Sequence, residues 1–325
     1  MPYLSHLTGE TPTDQQPDLY YRDYGPENAP ETVVLIHGWP FSLDMWEHQW
    51  LRLPHQNIRV VAYDRRGFGK SGKPFTGYDY DAMAADLKRV LEGLDLHGVT
   101  LVGFSMGGGE LARYLGTYGA DRVARANFVS SVTPYLEKSG DNPDGVDPQI
   151  FADMKTQLRE DRAGFLSGWG KKFYGAGMLS KPVSDAWLDF TQQKVMEASP
   201  VATVECVNAF AKTDFRADLR KIDIPTMFCH GTADAIVPLE ASAKRAVDLV
   251  DGAVLHEYEG APHGLVITHW QEYNEHLKDF IRENPKPSGA QVPRSGNMAA
   301  DPLTRGSVGD VGDSRQTGIA GTTIA

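Results

Sequence analysis

The segment Gly103-Phe104-Ser105-Met106-Gly107 carries the residue types of a nucleophilic serine. It fits the G-x-S-x-G pattern, in which a serine stands on a sharp turn between a strand and a helix. The apolar run Val99–Val102 precedes it, and Gly109–Leu115 after it has a helical pattern. Such a turn projects the serine hydroxyl above a sheet, and the helix N-terminus directs free N–H groups at developing negative charge. We therefore predict that Ser105 is a catalytic nucleophile rather than part of a coincidental Gly/Ser turn.

A serine nucleophile needs a base and a carboxylate that orients the base. The G-x-S-x-G pattern goes with the chain order Ser, acid, His. Asp234 follows the strand-like run Thr226–Cys229, and His263 follows the run Ala253–Tyr258. Catalytic groups gather beyond the carboxyl ends of strands in open α/β sheets. We therefore predict Asp234 as the acid and His263 as the base.

Other candidates for the acid and the base have weaker contexts. His256 lies within a strand-like run, and His269 and His276 lie at or within the last helical stretch. His230 precedes the acid in the chain, and Asp223 lies before its strand, at the wrong end of the sheet. We interpret these residues as packed or solvated side chains.

The negative charge of a tetrahedral intermediate needs two backbone N–H donors. One belongs to the residue after the nucleophile, Met106, and the other comes from the loop after an early strand. That loop is His37-Gly38-Trp39-Pro40, directly after Thr32–Ile36. Trp39 is the predicted second donor of this oxyanion hole, because Pro40 has no N–H.

Two tempting signals for a cofactor are weak. Gly67–Gly72 matches G-x-G-x-x-G, but a dinucleotide site requires a helix directly afterwards, and the next helical pattern begins near Tyr80. A P-loop would need a glycine where the chain has Asp64. No group of ligand residues has metal spacing, and Cys206 and Cys229 are interpreted as core residues. The sequence therefore predicts neither a cofactor nor a metal.

The elements that would position these residues alternate along the chain. Strand-like runs occur at Leu19–Tyr24, Thr32–Ile36, Ile58–Tyr63, Val99–Phe104, Ala126–Val132, Thr226–Cys229 and Ala253–Tyr258. Amphipathic helical patterns cover 83–94, 239–250 and 270–281. Strands that alternate with helices predict an α/β fold whose mainly parallel sheet is covered on both faces.

Two regions depart from this alternation. Residues 134–200 show helical patches but no clear strand, and we predict a helical cap inserted between two strands. Residues 285–325 contain seven glycines and four prolines but no aromatic residue, which predicts a low-complexity, disordered tail. The remaining 1–284 would form one domain that includes the cap.

Composition excludes several classes of protein. The net charge is −11, which argues against a nucleic-acid partner. The longest apolar runs are too short to span a membrane, and the first ten residues lack the pattern of a signal peptide. Two cysteines cannot form a disulfide framework. We therefore expect a soluble, cytoplasmic protein with a small-molecule substrate.

Several motifs together resemble a known family. The segments His37-Gly38-Trp39-Pro40, 64–71, 103–110 and Ala261-Pro262-His263-Gly264 are similar to those of α/β hydrolases. The three glycines after Met106 and the stretch 213–216 resemble, more narrowly, the bacterial cofactor-free haloperoxidases. These enzymes are also called perhydrolases and are related to aryl esterases. The resemblance covers roughly residues 18–283.

The resemblance implies an α/β-hydrolase fold with an eight-stranded sheet and a helical cap. It implies a serine hydrolase that acts on small carboxylic esters or acids through an acyl-enzyme. Water would release the acid, whereas hydrogen peroxide would release a peracid that oxidises halide in solution. The family also suggests homo-oligomers, and Pro40 stands where perhydrolases carry a proline. We hypothesise that the Pro40 carbonyl helps to hold peroxide.

Alternatives remain at the level of the substrate. The same fold and triad would also act on a lactam, a thioester or a carbon–carbon bond. Haloalkane dehalogenases and epoxide hydrolases are disfavoured, because their nucleophile is Asp where this chain has Ser105. A non-catalytic binding protein is disfavoured, because such proteins commonly lose triad residues. Trp169, Phe173 and Tyr174 are candidates for the pocket lining, with the core of the cap as their alternative location.

Overall fold

One sheet of seven strands forms the centre of the described structure, a computed structural model that describes residues 2–26, 28–177 and 180–286. The strands are β1 (Tyr21–Tyr24), β2 (Glu31–Ile36), β3 (Ile58–Tyr63), β4 (Val99–Phe104), β5 (Val123–Val129), β6 (Thr226–Gly231) and β7 (Val254–Tyr258). Their order in the sheet is β1-β3-β2-β4-β5-β6-β7. β1 runs antiparallel to β3, and the other neighbours are parallel.

The predicted number of strands is wrong by one. The runs visible in the sequence correspond to the seven observed strands, and the eighth was expected from the family alone. Where a further edge strand would pair with β1, Tyr3 meets Tyr20 in an isolated antiparallel bridge. The chain then forms a short helix at Leu4–Thr8, so no ladder extends from that bridge.

Helices cover both faces of the sheet. They are α1 (Leu4–Thr8), α2 (Glu47–Trp50), α3 (Tyr80–Gly93), α4 (Met106–Tyr118), α5 (Pro148–Glu160), α6 (Arg162–Phe173), α7 (Asp185–Met196), α8 (Pro200–Lys212), α9 (Arg216–Leu219), α10 (Ala243–Val247), α11 (Leu265–Thr268) and α12 (Trp270–Glu283). Short 3₁₀ helices lie at Leu43–Trp46, Pro54–Gln56 and Leu239–Ala241. Every residue of β4, β5 and β6 is buried, as expected for parallel strands covered on both sides.

The amphipathic patterns predicted two of the three helices well. α3 begins after Asp79, whose carboxylate accepts a hydrogen bond from the Ala82 N–H. The pattern over 270–281 corresponds to α12. The pattern over 239–250 does not form one helix, because Ser242 has φ −122° and ψ −96° and separates a 3₁₀ turn from α10.

In the described residues between β5 and β6 there are five helices, α5 to α9; α5 packs on α8, and α6 packs on α7. Pro148 and Pro200 occupy the first turns of α5 and α8, where a missing N–H costs nothing. The division into a domain at 1–284 with a cap at 134–200 stays a prediction. The tail predicted at 285–325 lies, beyond residue 286, outside the described residues. Among the helices described, none has the length and hydropathy needed to cross a bilayer.

Candidate active site

Ser105 lies on a strained turn between β4 and α4. Its backbone has φ 52° and ψ −116°, a region that costs a non-glycine residue about 1–3 kcal/mol. Its N–H donates to the Val129 carbonyl over 2.8 Å, which ties the turn to the end of β5. Strain of this size persists where the surrounding structure enforces it, and here the turn projects the serine beyond the sheet.

Close packing requires glycine on both sides of the serine. A Cβ atom on Gly103 would lie 2.5 Å from the Gly107 carbonyl oxygen, and one on Gly107 would lie 2.4 Å from the Ile36 carbonyl oxygen. Both distances are shorter than real Cβ contacts, and the opposing atoms belong to the backbone. The glycines of the G-x-S-x-G pattern therefore let the turn pack directly on the end of β2.

The structure brings Ser105, His263 and Asp234 into one hydrogen-bonded chain. His263 Nε2 lies 2.9 Å from Ser105 Oγ, and His263 Nδ1 lies 2.6 Å from Asp234 Oδ2. All three residues are buried. An ionised carboxylate only accepts hydrogen bonds, so the imidazole proton belongs on Nδ1 and Nε2 is free to accept the serine proton. This is the geometry that a general base requires.

Asp234 is held as a carboxylate by its surroundings. Burial opposes its ionisation, but attraction to His263 and hydrogen bonds from both neighbouring histidines outweigh burial and hold its pKa below the ordinary value. The N–H groups of Ile236 and Val237 donate to Oδ1, each over 2.9 Å. The second histidine, His230, is a contact that the sequence interpretation missed.

His230 lies at the end of β6 and is fully buried. Its Nε2 is 2.9 Å from the Val237 carbonyl oxygen and 3.2 Å from Asp234 Oδ2. Because both partners accept, Nε2 carries the proton and donates to them. The sequence contained one signal for this contact: His230 lies four residues before Asp234, where the chain leaves a buried strand.

Three further contacts position the loop that carries His263. Ser130 follows β5 with φ 45°, and its hydroxyl donates to the His263 carbonyl over 3.0 Å. The Ala233 N–H donates to the Ala261 carbonyl over 3.1 Å, which joins the acid loop to the histidine loop. The Gly264 N–H donates to a carbonyl in α6 over 2.9 Å. The base is therefore held from the sheet, the acid loop and the cap.

The two predicted oxyanion donors, Trp39 and Met106, have N–H groups without a backbone acceptor among the described residues. Met106 is the first residue of α4, so its N–H has no acceptor within the helix. The Trp39 N–H donates to no backbone group of the described residues, and the Trp39 indole N–H donates to the Thr203 carbonyl over 3.1 Å. Trp39 and Met106 line the same cavity as Ser105, and their role as oxyanion donors stays a prediction.

A cavity of about 700 Å³ opens beside Ser105 and His263. The buried and half-buried part of its lining is apolar and includes Trp39, Val132, Phe151, Phe165, Trp169 and Phe210. The exposed part includes a polar set from α5 and α6, which we call the cap rim: Asp153, Gln157, Glu160, Asp161 and Lys172. A cavity with an apolar lining beside a buried nucleophile suits a small, largely uncharged organic substrate.

The aromatic residues predicted for the pocket separate into two groups. Trp169 lines the cavity and lies edge-on to Trp39, with 5.4 Å between ring centroids. Phe173 packs on the His263 ring from another side, at 5.4 Å, and does not line the cavity. Tyr174 is buried within the cap, where its hydroxyl lies 2.9 Å from that of Thr191. Of the two locations left open by the sequence, Trp169 therefore takes the pocket lining, and Phe173 and Tyr174 take the packed core.

The glycine-rich segment after β3 forms a structural turn. The Asp64 carboxylate accepts hydrogen bonds from the Leu43 and Lys70 N–H groups, each over 2.8 Å. Burial raises the pKa of Asp64 to about 7, although these bonds act in the opposite direction. No helix follows the segment until α3, which agrees with the interpretation that it is not a dinucleotide site.

A family model described as the alpha/beta hydrolase fold matches residues 31–269. The chain belongs to the α/β-hydrolase family. The matched range contains the serine turn, the acid loop and the histidine loop, so the α/β-hydrolase fold and the predicted resemblance are confirmed.

Individual relatives show to which group of α/β hydrolases this chain is similar. The chain is 39% identical to a non-heme chloroperoxidase of Streptomyces lividans, over 84% of this chain and 99% of that protein. It is 38% identical to a bifunctional esterase/perhydrolase of Acinetobacter calcoaceticus, again over 84% and 99%. A crystal structure of a bromoperoxidase from Bacillus anthracis superposes with a TM-score of 0.79 at 45% identity, over 82% of this chain and 96% of that one. This α/β hydrolase thus groups with non-heme haloperoxidases and esterases.

Proposed function

We propose that this protein is a serine hydrolase of small carboxylic esters that forms peracids when hydrogen peroxide replaces water. The observation that carries the proposal is the hydrogen-bonded chain Asp234–His263–Ser105 beside an apolar cavity. The esterase/perhydrolase and chloroperoxidase relatives support the reaction class.

In acylation, His263 acts first as a base and then as an acid. His263 Nε2 accepts the hydroxyl proton of Ser105 while Oγ attacks the carbonyl carbon of the ester. The ionised Asp234 stabilises the imidazolium that results. The N–H groups of Trp39 and Met106 would stabilise the tetrahedral oxyanion. His263 then protonates the departing alcohol, which leaves an acyl group on Ser105.

The acyl-enzyme then partitions between two nucleophiles. His263 removes a proton from water, which attacks the acyl carbon and releases the carboxylic acid. Hydrogen peroxide attacks in the same way and releases a peracid, so its O–O bond remains intact in the product. Ser105 regains its proton in both cases. The peracid then oxidises halide in solution, as the resemblance to haloperoxidases implies.

The direct test measures both outcomes on one protein. Purified enzyme is assayed for hydrolysis of p-nitrophenyl acetate and, in acetate buffer with peroxide, for peracetic acid. We expect both activities, and we expect Ser105→Ala to abolish both. A lactam and a thioester in the same assay separate the ester reaction from the alternative acyl substrates. The cytoplasmic location and the homo-oligomer stay predictions.

A further inference from the structure

A buried ion pair, Arg65–Glu110, lies behind the loop that carries Trp39. Arg65 follows β3, Glu110 lies in α4, and neither side chain is exposed to solvent. Arg65 Nε donates to Glu110 Oε2 over 2.6 Å, and the Tyr63 hydroxyl donates to Oε1. Desolvation of two ions offsets much of their attraction, so burial of such a pair is weak evidence of a stabilising role. Its contacts to the neighbouring loop are the informative feature.

Contacts with Arg65 set the tautomer and the charge of the His37 ring. Arg65 Nη2 donates to the His37 carbonyl over 2.7 Å, and the Arg65 N–H donates to His37 Nε2 over 2.9 Å. The other ring nitrogen, Nδ1, lies 2.9 Å from the Gly38 carbonyl oxygen. Because Nε2 accepts and the carbonyl can only accept, the ring proton lies on Nδ1. Burial and the Arg65 charge hold the pKa of His37 far below its ordinary value, so the ring stays neutral.

The peptide between Gly38 and Trp39 is oriented by these contacts. Its carbonyl accepts from His37 Nδ1 and from the Phe41 N–H, the latter over 3.0 Å. This peptide is trans, so its C=O and N–H point in opposite directions. A fixed Gly38 carbonyl therefore fixes the direction of the Trp39 N–H, the proposed oxyanion donor.

We propose that Arg65 and Glu110 are positioning residues that direct the Trp39 N–H toward the oxyanion. The inference rests on the proposed function, because an oxyanion forms only if Ser105 attacks an acyl group. Glu110 lies one helical turn beyond Met106 in α4. The ion pair thus connects the loop that carries one donor with the helix that carries the other, and it sets their relative position.

The next residue in the chain offers a matched control. Arg66 Nε donates to Asp86 Oδ2 over 2.6 Å, and these side chains are only 3% and 1% exposed. Other Arg66 nitrogens donate to the carbonyls of Gly77 and Gln15, over 3.2 and 3.1 Å. None of these contacts reaches the Trp39 loop. The two pairs share a guanidinium–carboxylate contact and burial, but one of them is connected to the oxyanion loop.

The test compares Glu110→Gln with Asp86→Asn, each of which removes one buried carboxylate charge. The measurements are the thermal unfolding midpoint, kcat and KM for p-nitrophenyl acetate, and the affinity for an aryl boronic acid that adds to a catalytic serine as a tetrahedral anion. We expect Glu110→Gln to lower kcat by about 10- to 100-fold with KM within about twofold. Boronate affinity should fall with kcat. Asp86→Asn should lower the midpoint comparably and keep kcat within about twofold.

Equal kcat values in the two variants, or a loss confined to KM, would overturn the positioning role alone. A wild-type protein that hydrolyses no ester would remove the proposed function and this inference together. If Glu110→Gln does not fold, Tyr63→Phe removes one hydrogen bond to Glu110 and no charge. Its control is Tyr273→Phe, which loses the buried hydroxyl contact to Asn127. We then expect kcat to fall about threefold in Tyr63→Phe alone, and equal values would overturn the inference.

Discussion

The loops at the carboxyl ends of the strands and the cap helices build opposite sides of one cavity by different means. At the strand ends, hydrogen bonds join Ser105, His263 and Asp234. The backbone at Ser105 is strained, and the glycines on both sides of it leave no room for a side chain. From the cap, α5 and α6 contribute apolar side chains and the exposed, polar cap rim. One region is held by directional contacts and the other by packing.

This difference separates chemistry from selectivity. Directional contacts fix the geometry of the reacting atoms, and changes there should affect every substrate alike. Apolar packing tolerates a change of shape at a modest cost in affinity. Changes in the cap should therefore alter the ranking of substrates while the reaction itself continues.

The largest effect is expected at the nucleophile. Ser105→Ala removes the atom that forms the acyl-enzyme, so kcat should fall on the order of 10⁶-fold for hydrolysis and peracid formation alike. The assay is turnover of p-nitrophenyl acetate with and without peroxide. Substantial activity in this variant would mean that Ser105 is not the nucleophile. The strand ends would then not be the catalytic region.

A smaller loss is expected at the acid. Asp234→Asn keeps the size of the side chain but removes the charge that selects the His263 tautomer, so kcat should fall on the order of 10⁴-fold. Steady-state kinetics on esters with different acyl groups provides the measurement. The loss should be the same for each ester, and a loss that depended on the acyl group would assign Asp234 to selectivity.

In the cap, Phe165→Ala should change selectivity. Phe165 lines the cavity, and its removal takes away an apolar contact, so kcat/KM for an aryl ester should fall about tenfold relative to ethyl acetate. Phe190→Ala in α7, which does not line the cavity, is the control. Equal losses for both esters would mean that Phe165 contributes to the catalytic geometry rather than to the pocket.

Pro40 directly follows Trp39 and belongs to the loops at the strand ends, not to the cap. Pro40→Leu changes the carbonyl that we hypothesise to hold peroxide, so the ratio of peracid to acid should fall about fivefold, the worth of one hydrogen bond. Hydrolysis of p-nitrophenyl acetate without peroxide serves as the internal control. An unchanged product ratio would refute the hypothesis.

The smallest effect is expected at the cap rim. Glu160→Gln removes one exposed negative charge, so KM for p-nitrophenyl hemisuccinate should fall about twofold relative to the neutral butyrate ester. The difference should disappear at about 1 M salt because exposed charges are screened. Glu205→Gln in α8, outside the cavity lining, should change neither KM. A salt-independent effect would point to a change of shape rather than of charge.

Local signals were sufficient to predict the fold and the arrangement of the candidate triad. The turn at Ser105 needs particular residues within five positions. Asp234 follows the buried strand β6, and His263 follows β7, which is at the edge of the sheet and partly exposed. The role of Ser130 was missed because it acts on the loop of His263, which lies far along the chain. The role of His230 was missed although Asp234 lies only four residues away, because the spacing does not show which way the ring points. Burial and distance, which no single segment encodes, reveal those contacts.

Packing also decided where the sequence interpretation failed or left two locations open. The pattern over 239–250 has helical periodicity, yet the backbone turns at Ser242. Phe173 and Tyr174 have the same aromatic character as Trp169, and only the path of α6 determines that Trp169 faces the cavity. An eighth strand was expected from relatives, whereas Tyr3 makes a single bridge.

The central claim is that one acyl-enzyme on Ser105 gives both products. The most direct test compares phenyl acetate, p-nitrophenyl acetate and ethyl acetate at each of several peroxide concentrations, after subtraction of the uncatalysed reaction. All three form the same acetyl-enzyme, so the ratio of peracetic to acetic acid should be identical and should rise in proportion to peroxide. A ratio that depended on the leaving group, or peracid formation that persisted in Ser105→Ala, would contradict the claim.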